Sequence, residues 1–247
     1  PPPPPPPFFF QAQHGIRDSS TSRGLGDVYK RQVMRSILFF ILITGTVAAE
    51  DLAKLPVLFT EDFEKGNGRW ETTDAESWTH RKMEGNAVFG INRRNSNYQP
   101  KVRSPRHIAL IKDVQVADFV LTFRVKSTKD TGGHRDCCIF FNWQDSQNFY
   151  YVHLGARPDP HSGQIMIVKN APRKAMTNNK NKTPWKNETW HKIKVVRDSK
   201  KGTIEVYFDD MTKPHMSVVD KTYGKGRIGI GSFDDMNDFD NIKLRGR

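Results

Sequence analysis

The sequence predicts an all-β protein built as a two-sheet antiparallel jelly-roll sandwich. Short runs with period-two apolar alternation recur along most of the chain, clusters of Gly, Asp, Asn and Pro separate them, and few segments carry a helical period. The third observation is the stretch Gly132–Trp143, GGHRDCCIFFNW, with its expected hairpin partner Phe149–Leu154, FYYVHL. Its apolar run is too long for a half-exposed strand. It therefore belongs near the middle of a sheet, with one face on the core and the other beneath something else.

In chain order, Val57–Phe63 (VLFTEDF) opens the domain and Gly66-Asn67-Gly68 turns it. Trp70–Trp78 is polar and reads as irregular, and His80–Ile91 carries a hairpin signal with Glu84-Gly85-Asn86 at the turn. Asn92–Arg106 is basic and loop-like. Phe119–Lys126 alternates cleanly: Phe119, Leu121, Phe123 and Val125 point one way, Val120, Thr122, Arg124 and Lys126 the other. After the central pair come Gln164–Val168, a long polar loop at Asn170–Trp185, and strands at His191–Asp198, Thr203–Asp209, Arg227–Phe233 and Phe239–Leu244. About a dozen short strands at this spacing suit a sandwich.

The ends of the chain are of another kind. Pro1–Pro7 and then Phe8–Phe10 are what runs of C and then T nucleotides would encode, GIRDSSTSRGLGDVYKRQ resembles adapter read-through, and residues 1–33 are read as a non-native translation artefact; a disordered polyproline arm is the other reading. Residues 34–49 read as a signal peptide: Arg35 as the charged region, Ile37–Ile43 as the apolar region, and Val47-Ala48-Ala49 as the cleavage site. The apolar region is far short of the ~20 residues that span a bilayer, and no later stretch approaches that length. The expectation is a secreted or periplasmic single domain over 50–247 that does not span a membrane. With 39 Lys+Arg against 27 Asp+Glu, the net charge of +12 favours a polyanionic partner or, equally, a solvated lysine-rich surface. The basic loops lack a nucleic-acid motif and interleaved aromatics, so nucleic acid is not expected.

The C-terminal half carries a more specific signal. The order W-K-N-E-T-W-H-K-I-K-V-V-R-D, G-T-I-E-V-Y-F-D-D, G-R-I-G-I-G-S-F and F-D-N-I-K-L resembles the concanavalin A-like lectin/glucanase superfamily. The nearest branches are the laminin G-like and 3-keto-disaccharide hydrolase-like domains, and the upstream W-x-x-x-x-G-N-A-V-F, D-F-V-L-T-F-R-V and G-G-H-R-D-C-C-I-F-F fit the same order. The resemblance covers roughly residues 57–245 and implies the concanavalin A-like fold. The keto-disaccharide branch carries Asn-Ser-Gly where this chain has His134-Arg135-Asp136-Cys137-Cys138, and the laminarinase-type Glu-x-Asp-x-(x)-Glu strand is missing.

The candidate ligand residues are Arg124, His134, Arg135, Asp136, Asn142, Tyr151 and His153. Arg135 offers a fork for a carboxylate or sulfate, and His134 and Asp136 offer partners for sugar hydroxyls; a loop-end ion-pair network is the competing reading. Arg124, Asn142, Tyr151 and His153 sit at alternating positions of strands expected to be neighbours, which on one concave face would make an aromatic, hydrogen-bonding sugar surface; structural cover is the alternative. Trp78, Trp143 and Trp185 could add platforms, and Trp190 reads as core. Cys137 and Cys138 are the only cysteines. Adjacent Cα atoms ~3.8 Å apart fall below the disulfide window, and on a strand the two side chains face opposite ways, so the pair reads as two buried thiols that do not share a metal. No metal-ligand set and no resident cofactor emerge from spacing, although Asp234-Asp235-Met236-Asn237-Asp238 could supply a calcium ligand. No carboxylate pair is fixed at glycosidase spacing. The leading function is carbohydrate binding, with an acidic polysaccharide in view. The alternatives are a glycoside-cleaving enzyme and a cell-envelope adhesion or structural module.

Overall fold

A computed structural model describes residues 52–247 other than Glu84, so the segments read as artefact and signal peptide lie outside the described residues. The strands are β1 (Val57–Glu61), β2 (Trp70–Thr72), β3 (Trp78–Met83), β4 (Asn86–Ile91), β5 (His107–Val116), β6 (Phe119–Ser127), β7 (Cys138–Asp145), β8 (Asn148–His153), β9 (Gln164–Lys169), β10 (Lys174–Ala175), β11 (His191–Asp198), β12 (Thr203–Phe208), β13 (Met216–Val219), β14 (Gly226–Ser232) and β15 (Asn237–Gly246). They form two antiparallel sheets. One runs β13-β12-β11-β6-β15-β4-β3 with β1 also on β15, and the other runs β10-β9-β8-β7-β14-β5-β2. The chain passes repeatedly between sheets, and the architecture is the expected jelly-roll sandwich of the concanavalin A-like type. No helix among the described residues is long and apolar enough to cross a membrane.

Strand patterning fixes the main core. Phe119, Leu121, Phe123 and Val125 of β6 and Ile193 and Val195 of β11 meet Ile139 and Phe141 of β7 and Tyr150 and Val152 of β8. Each fully buried side chain of this size contributes about 1.5–3 kcal/mol. The hairpin of β7 and β8 pairs Cys138 with His153 and Phe141 with Tyr150, and β7 lies fourth of seven in its sheet. The double-sided burial is also met: Cys138, Phe140, Phe149 and Tyr151 form a second apolar cluster on the outer face with Ile108, Leu110, Trp143, Met166 and Val168. Tyr98 and Val102 of the 92–106 loop cover it.

Glycine makes room for that second cluster. A Cβ on Gly231 would lie 1.9 Å from the His107 carbonyl oxygen and 3.0 Å from the Phe140 ring, so β14 can run between β5 and β7 only without a side chain there. The Gly-x-Ile-Gly rhythm is therefore a packing requirement, with Ile228 and Ile230 filling the opposite face.

Four strands depart from the sequence expectation, the two-residue β10 falling inside the stretch Asn170–Trp185 read as loop. β5 was not expected because its run His107–Ile111 does not alternate, Asp113 takes a left-handed φ of 57°, and the pairing with β14 slips between Arg227 and Gly229. Trp70–Trp78, expected to be irregular, contains β2 and a 3-10 turn at Ala75–Ser77. β13 (MSVV) pairs with β12 at the end of its sheet, where four residues are too few for a period to show.

Candidate functional site

The 235 turn builds the site around Asp136. Its Oδ1 accepts from Ser232 Oγ at 2.7 Å and Phe233 N at 3.0 Å, and its Oδ2 accepts from Asp234 N at 3.4 Å. Its carbonyl accepts from Asn237 Nδ2 at 2.8 Å. One buried carboxylate thus fastens the β14–β15 turn to the start of β7 and fixes where Phe233 projects. Burial pushes the Asp136 pKa up, but His153, Ser232 and the Phe233 N–H together pull it below the usual carboxylate value. Asp235 responds in the opposite direction: burial, then the charge of Asp136, raise it to about 6.

Beside this turn lies a cavity of about 410 Å³, lined by His134, Asp136, His153, Arg157, Asp159, His161, Arg103, Arg173, Phe233 and Asp234, among others. His153 stacks on Phe233 with centroids 5.9 Å apart and an interplanar angle of 12°. The Arg173 guanidinium sits 4.3 Å from the Phe233 centroid and that of Arg103 sits 5.8 Å from it. A backbone bond from Arg173 N to Arg103 O at 3.0 Å joins the two loops that carry them. Arg173 Nε and Nη1 are buried and have no hydrogen-bond partner. Asp234 is taken by Arg94 at 3.2 Å. A larger hollow of about 620 Å³ lies near Glu71 and Arg227, but Arg227 already bonds Glu71 at 2.8 Å.

The structure gathers some of the expected ligand residues and disperses others. His134, Asp136 and His153 line the cavity. Arg135 is buried and bonds Asn187 Oδ1 and Asp130, the latter at 3.2 Å, in a loop-end ion-pair network. Arg124 lies in the other sheet and points away from the core, with Asp240 at 2.7 Å and Trp190 at 5.2 Å, so it cannot share a face with the residues of β7 and β8. Asn142 is buried with φ 45° where the β7–β8 register breaks, and its Nδ2 donates to Val116 O at 3.2 Å. Tyr151 is buried against Phe140 and Phe149. The open aromatic face expected around Tyr151 is thus closed, because the 92–106 loop lies on it. Trp78 and Trp143 are buried, and Trp190 packs under Arg124 and Lys126 rather than in the core.

Arg103 and Arg173 were read only as members of basic loops that could form a rim for a polyanion, and Phe233 only as the end of a strand, so their meeting was missed. The signal was the clustering of Arg103 and Arg173 in basic loops flanking the central pair.

The two thiols are free and buried, Cys137 in the main core and Cys138 in the second cluster. Burial raises both well above the ordinary thiol value. Cys138 Sγ nonetheless lies with Asp136 and His153 in a group whose ligand atoms are all within 4.8 Å of one another. In the acidic tract, Asp235 accepts from Ser127 and Thr131, and Asp238 pairs with Arg81.

Comparison with known proteins bears on this geometry. The model of the 3-keto-alpha-glucoside-1,2-lyase-like domain matches residues 57–245. The chain belongs to this family. Among solved structures, the carbohydrate binding module CBM66 from Bacillus subtilis aligns with a TM-score of 0.52 and 16% identity, over 72% of this chain and 96% of that one, which shows a shared fold. Winged bean acidic lectin aligns at 0.49 and 13% identity over 75% and 96% of the two chains. Bacillus licheniformis beta-glucanase aligns at 0.47 and 13% over 76% and 97%. A search of curated proteins found no match.

Proposed function

We propose that this family member is an exported carbohydrate-binding domain that takes an acidic sugar, a uronate or sulfated residue, in the cavity beside Phe233. The observation that carries the reading is Arg173, whose Nε and Nη1 are buried without partners at the cavity. Two buried guanidinium nitrogens lacking an acceptor on a partly exposed side chain are costly, and a forked donor matches carboxylate and sulfate geometry. Arg103 and Arg157 add positive charge at the same opening, and His134, Asp159 and His161 offer partners for sugar hydroxyls. The carbohydrate binding module with this fold supports the substrate class. The apolar run before Glu50 supports export.

The test is a glycan-array screen with neutral, uronate and sulfated oligosaccharides, run with calcium and with chelator. Retention of acidic glycans over neutral ones supports the reading, and loss of the signal in chelator assigns calcium a part in it. Silence on acidic glycans overturns it.

A second reading is glycoside cleavage. It is favoured by Asp136, Asp159 and Asp234 standing around one cavity with His134, His153 and His161, which supplies groups for proton transfer. Release of free sugar from a bound glycan, measured by chromatography, supports this reading; intact glycan after prolonged incubation excludes it.

A further inference from the structure

We infer that Asp136, Cys138 and His153 form a binding site for one zinc-class transition-metal ion at the floor of the cavity. The register creates the convergence. Asp136 and Cys138 are two residues apart and project to one side of the chain, and Cys138 is the direct cross-strand partner of His153. All three are buried. His153 Nε2 is 3.5 Å from Asp136 Oδ2, and Cys138 Sγ is 3.9 Å from Asp136 Oδ1. A tetrahedral ion with bonds of about 2.0–2.3 Å sets its ligands roughly 3.3–3.8 Å apart; the ligand atoms here all lie within 4.8 Å of one another, so they close on an ion with shifts of about 1 Å or less.

The hydrogen bonding of His153 is an independent pointer. Its Nδ1 lies 3.0 Å from the His161 carbonyl, which only accepts, so Nδ1 carries the proton and donates it. With Nδ1 so fixed, Nε2 faces the Asp136 carboxylate, where either a proton on the ring or a metal ion stands between the two. A histidine whose far nitrogen is fastened to a backbone carbonyl is the usual arrangement of a metal ligand. Ser232 and the Phe233 N–H hold Asp136 from behind in the same way.

Charge and donor type select the ion. On binding, the Cys138 thiol releases its proton to solvent; thiolate, carboxylate and neutral imidazole around a dication sum to zero, which suits a buried position. Sulfur and nitrogen donors favour zinc over calcium or magnesium, which take oxygen. Three protein ligands leave a fourth position, and Asp136 and His153 both line the cavity from which a water or sugar oxygen would fill it. Cys137 takes no part because its side chain lies in the main core.

The experiment uses the full chain, stripped with chelator and titrated with cobalt(II), then with zinc. One equivalent of cobalt should bind with a thiolate-to-cobalt charge-transfer band, and zinc should abolish the band. Cys138→Ser should lose the band and weaken binding by more than the ~10–100-fold that loss of an outer partner costs, with Cys137→Ser unchanged. X-ray absorption of the unmodified zinc-loaded protein covers the case in which Cys138→Ser fails to fold: one sulfur ligand supports the site. No uptake against a competing chelator, a band that survives Cys138→Ser, or zinc without sulfur overturns it. The inference does not rest on the sugar reading, since metal uptake and glycan binding are scored separately.

Discussion

Replacing Asp74 by Ala should release the loop that closes the outer face of the second sheet. The Asp74 carboxylate is 6% exposed and accepts from Ser77 Oγ at 2.7 Å, Ser96 Oγ at 3.2 Å, Asn97 N at 2.7 Å and Arg93 Nη2 at 3.1 Å. Three of these donors belong to the 92–106 loop, which lays Tyr98 and Val102 on the second cluster and carries Arg103 to the cavity. Burial pushes the Asp74 pKa up, but Ser77, Asn97 and Arg93 outweigh it and hold the group well below 3.8. Its contribution is therefore present above pH 3.8 and lost as pH falls through the folded value. A hydrogen bond to a charged group is worth about 1.5–3 kcal/mol, and the four share one acceptor non-additively, so Asp74→Ala should cost about 3–5 kcal/mol. For a domain of this size that lowers Tm by roughly 10 °C. Urea unfolding followed by tryptophan fluorescence reads the loss. Tryptic cleavage at Arg93, Arg94, Lys101, Arg103 or Arg106 reads the opening of the loop. An unchanged urea midpoint with unchanged cleavage would refute the anchoring role.

Further perturbations have defined outcomes. Arg197 is fully buried and donates to the carbonyls of Gly202 at 2.7 Å, Asp220 at 2.8 Å and Tyr223 at 3.2 Å, so Arg197→Met should destabilise by about 3–5 kcal/mol in denaturant melts; a loss under about 1 kcal/mol contradicts this. His107 is buried and its pKa is pushed below 6.5 by burial, so its contribution is present above pH 6.5 and is lost as pH falls below it, at up to about 1.4 kcal/mol per pH unit. Asp235 acts in reverse, contributing fully below 3.8 and losing that contribution as pH rises through about 6. The stability difference between wild type and His107→Gln across pH 5–8 isolates the histidine, and a flat difference rejects it. Cys137 and Cys138 are buried and free, so both should resist a thiol reagent in the native state and react on unfolding, with Tm unchanged by reductant; rapid native labelling would contradict their placement.

How much was legible follows from where the signals reside. The β7–β8 hairpin, its double-sided burial and the facing of β6 are local patterns, and the residues at positions 119, 121, 123 and 125 declare them directly. β5 was not legible, because a bulge and a left-handed Asp113 erase its period. Asp136 and His153 stood out as polar residues at the mouth of an apolar hairpin, and the fold brings them to the cavity. Tyr151 shares that hairpin, but the burial of its face depends on a loop about 50 residues upstream, and Asn142 is turned toward the Val116 carbonyl by its left-handed φ at the register break. Arg124 was placed with them because strand adjacency was inferred from alternation, which does not say which sheet a strand joins. The two-faced geometry of the cysteine pair was read from the strand period and holds; it did not reveal that one thiol faces a histidine across the hairpin.

Whether Arg173 receives an acidic sugar is read by calorimetric titration of wild type and of Arg173→Ala with an acidic oligosaccharide from the array. Arg173→Ala should weaken binding by about 10- to 100-fold, the ~1.5–3 kcal/mol of a charge-assisted hydrogen bond, while Tm is retained. Equal affinity in the two proteins would contradict it.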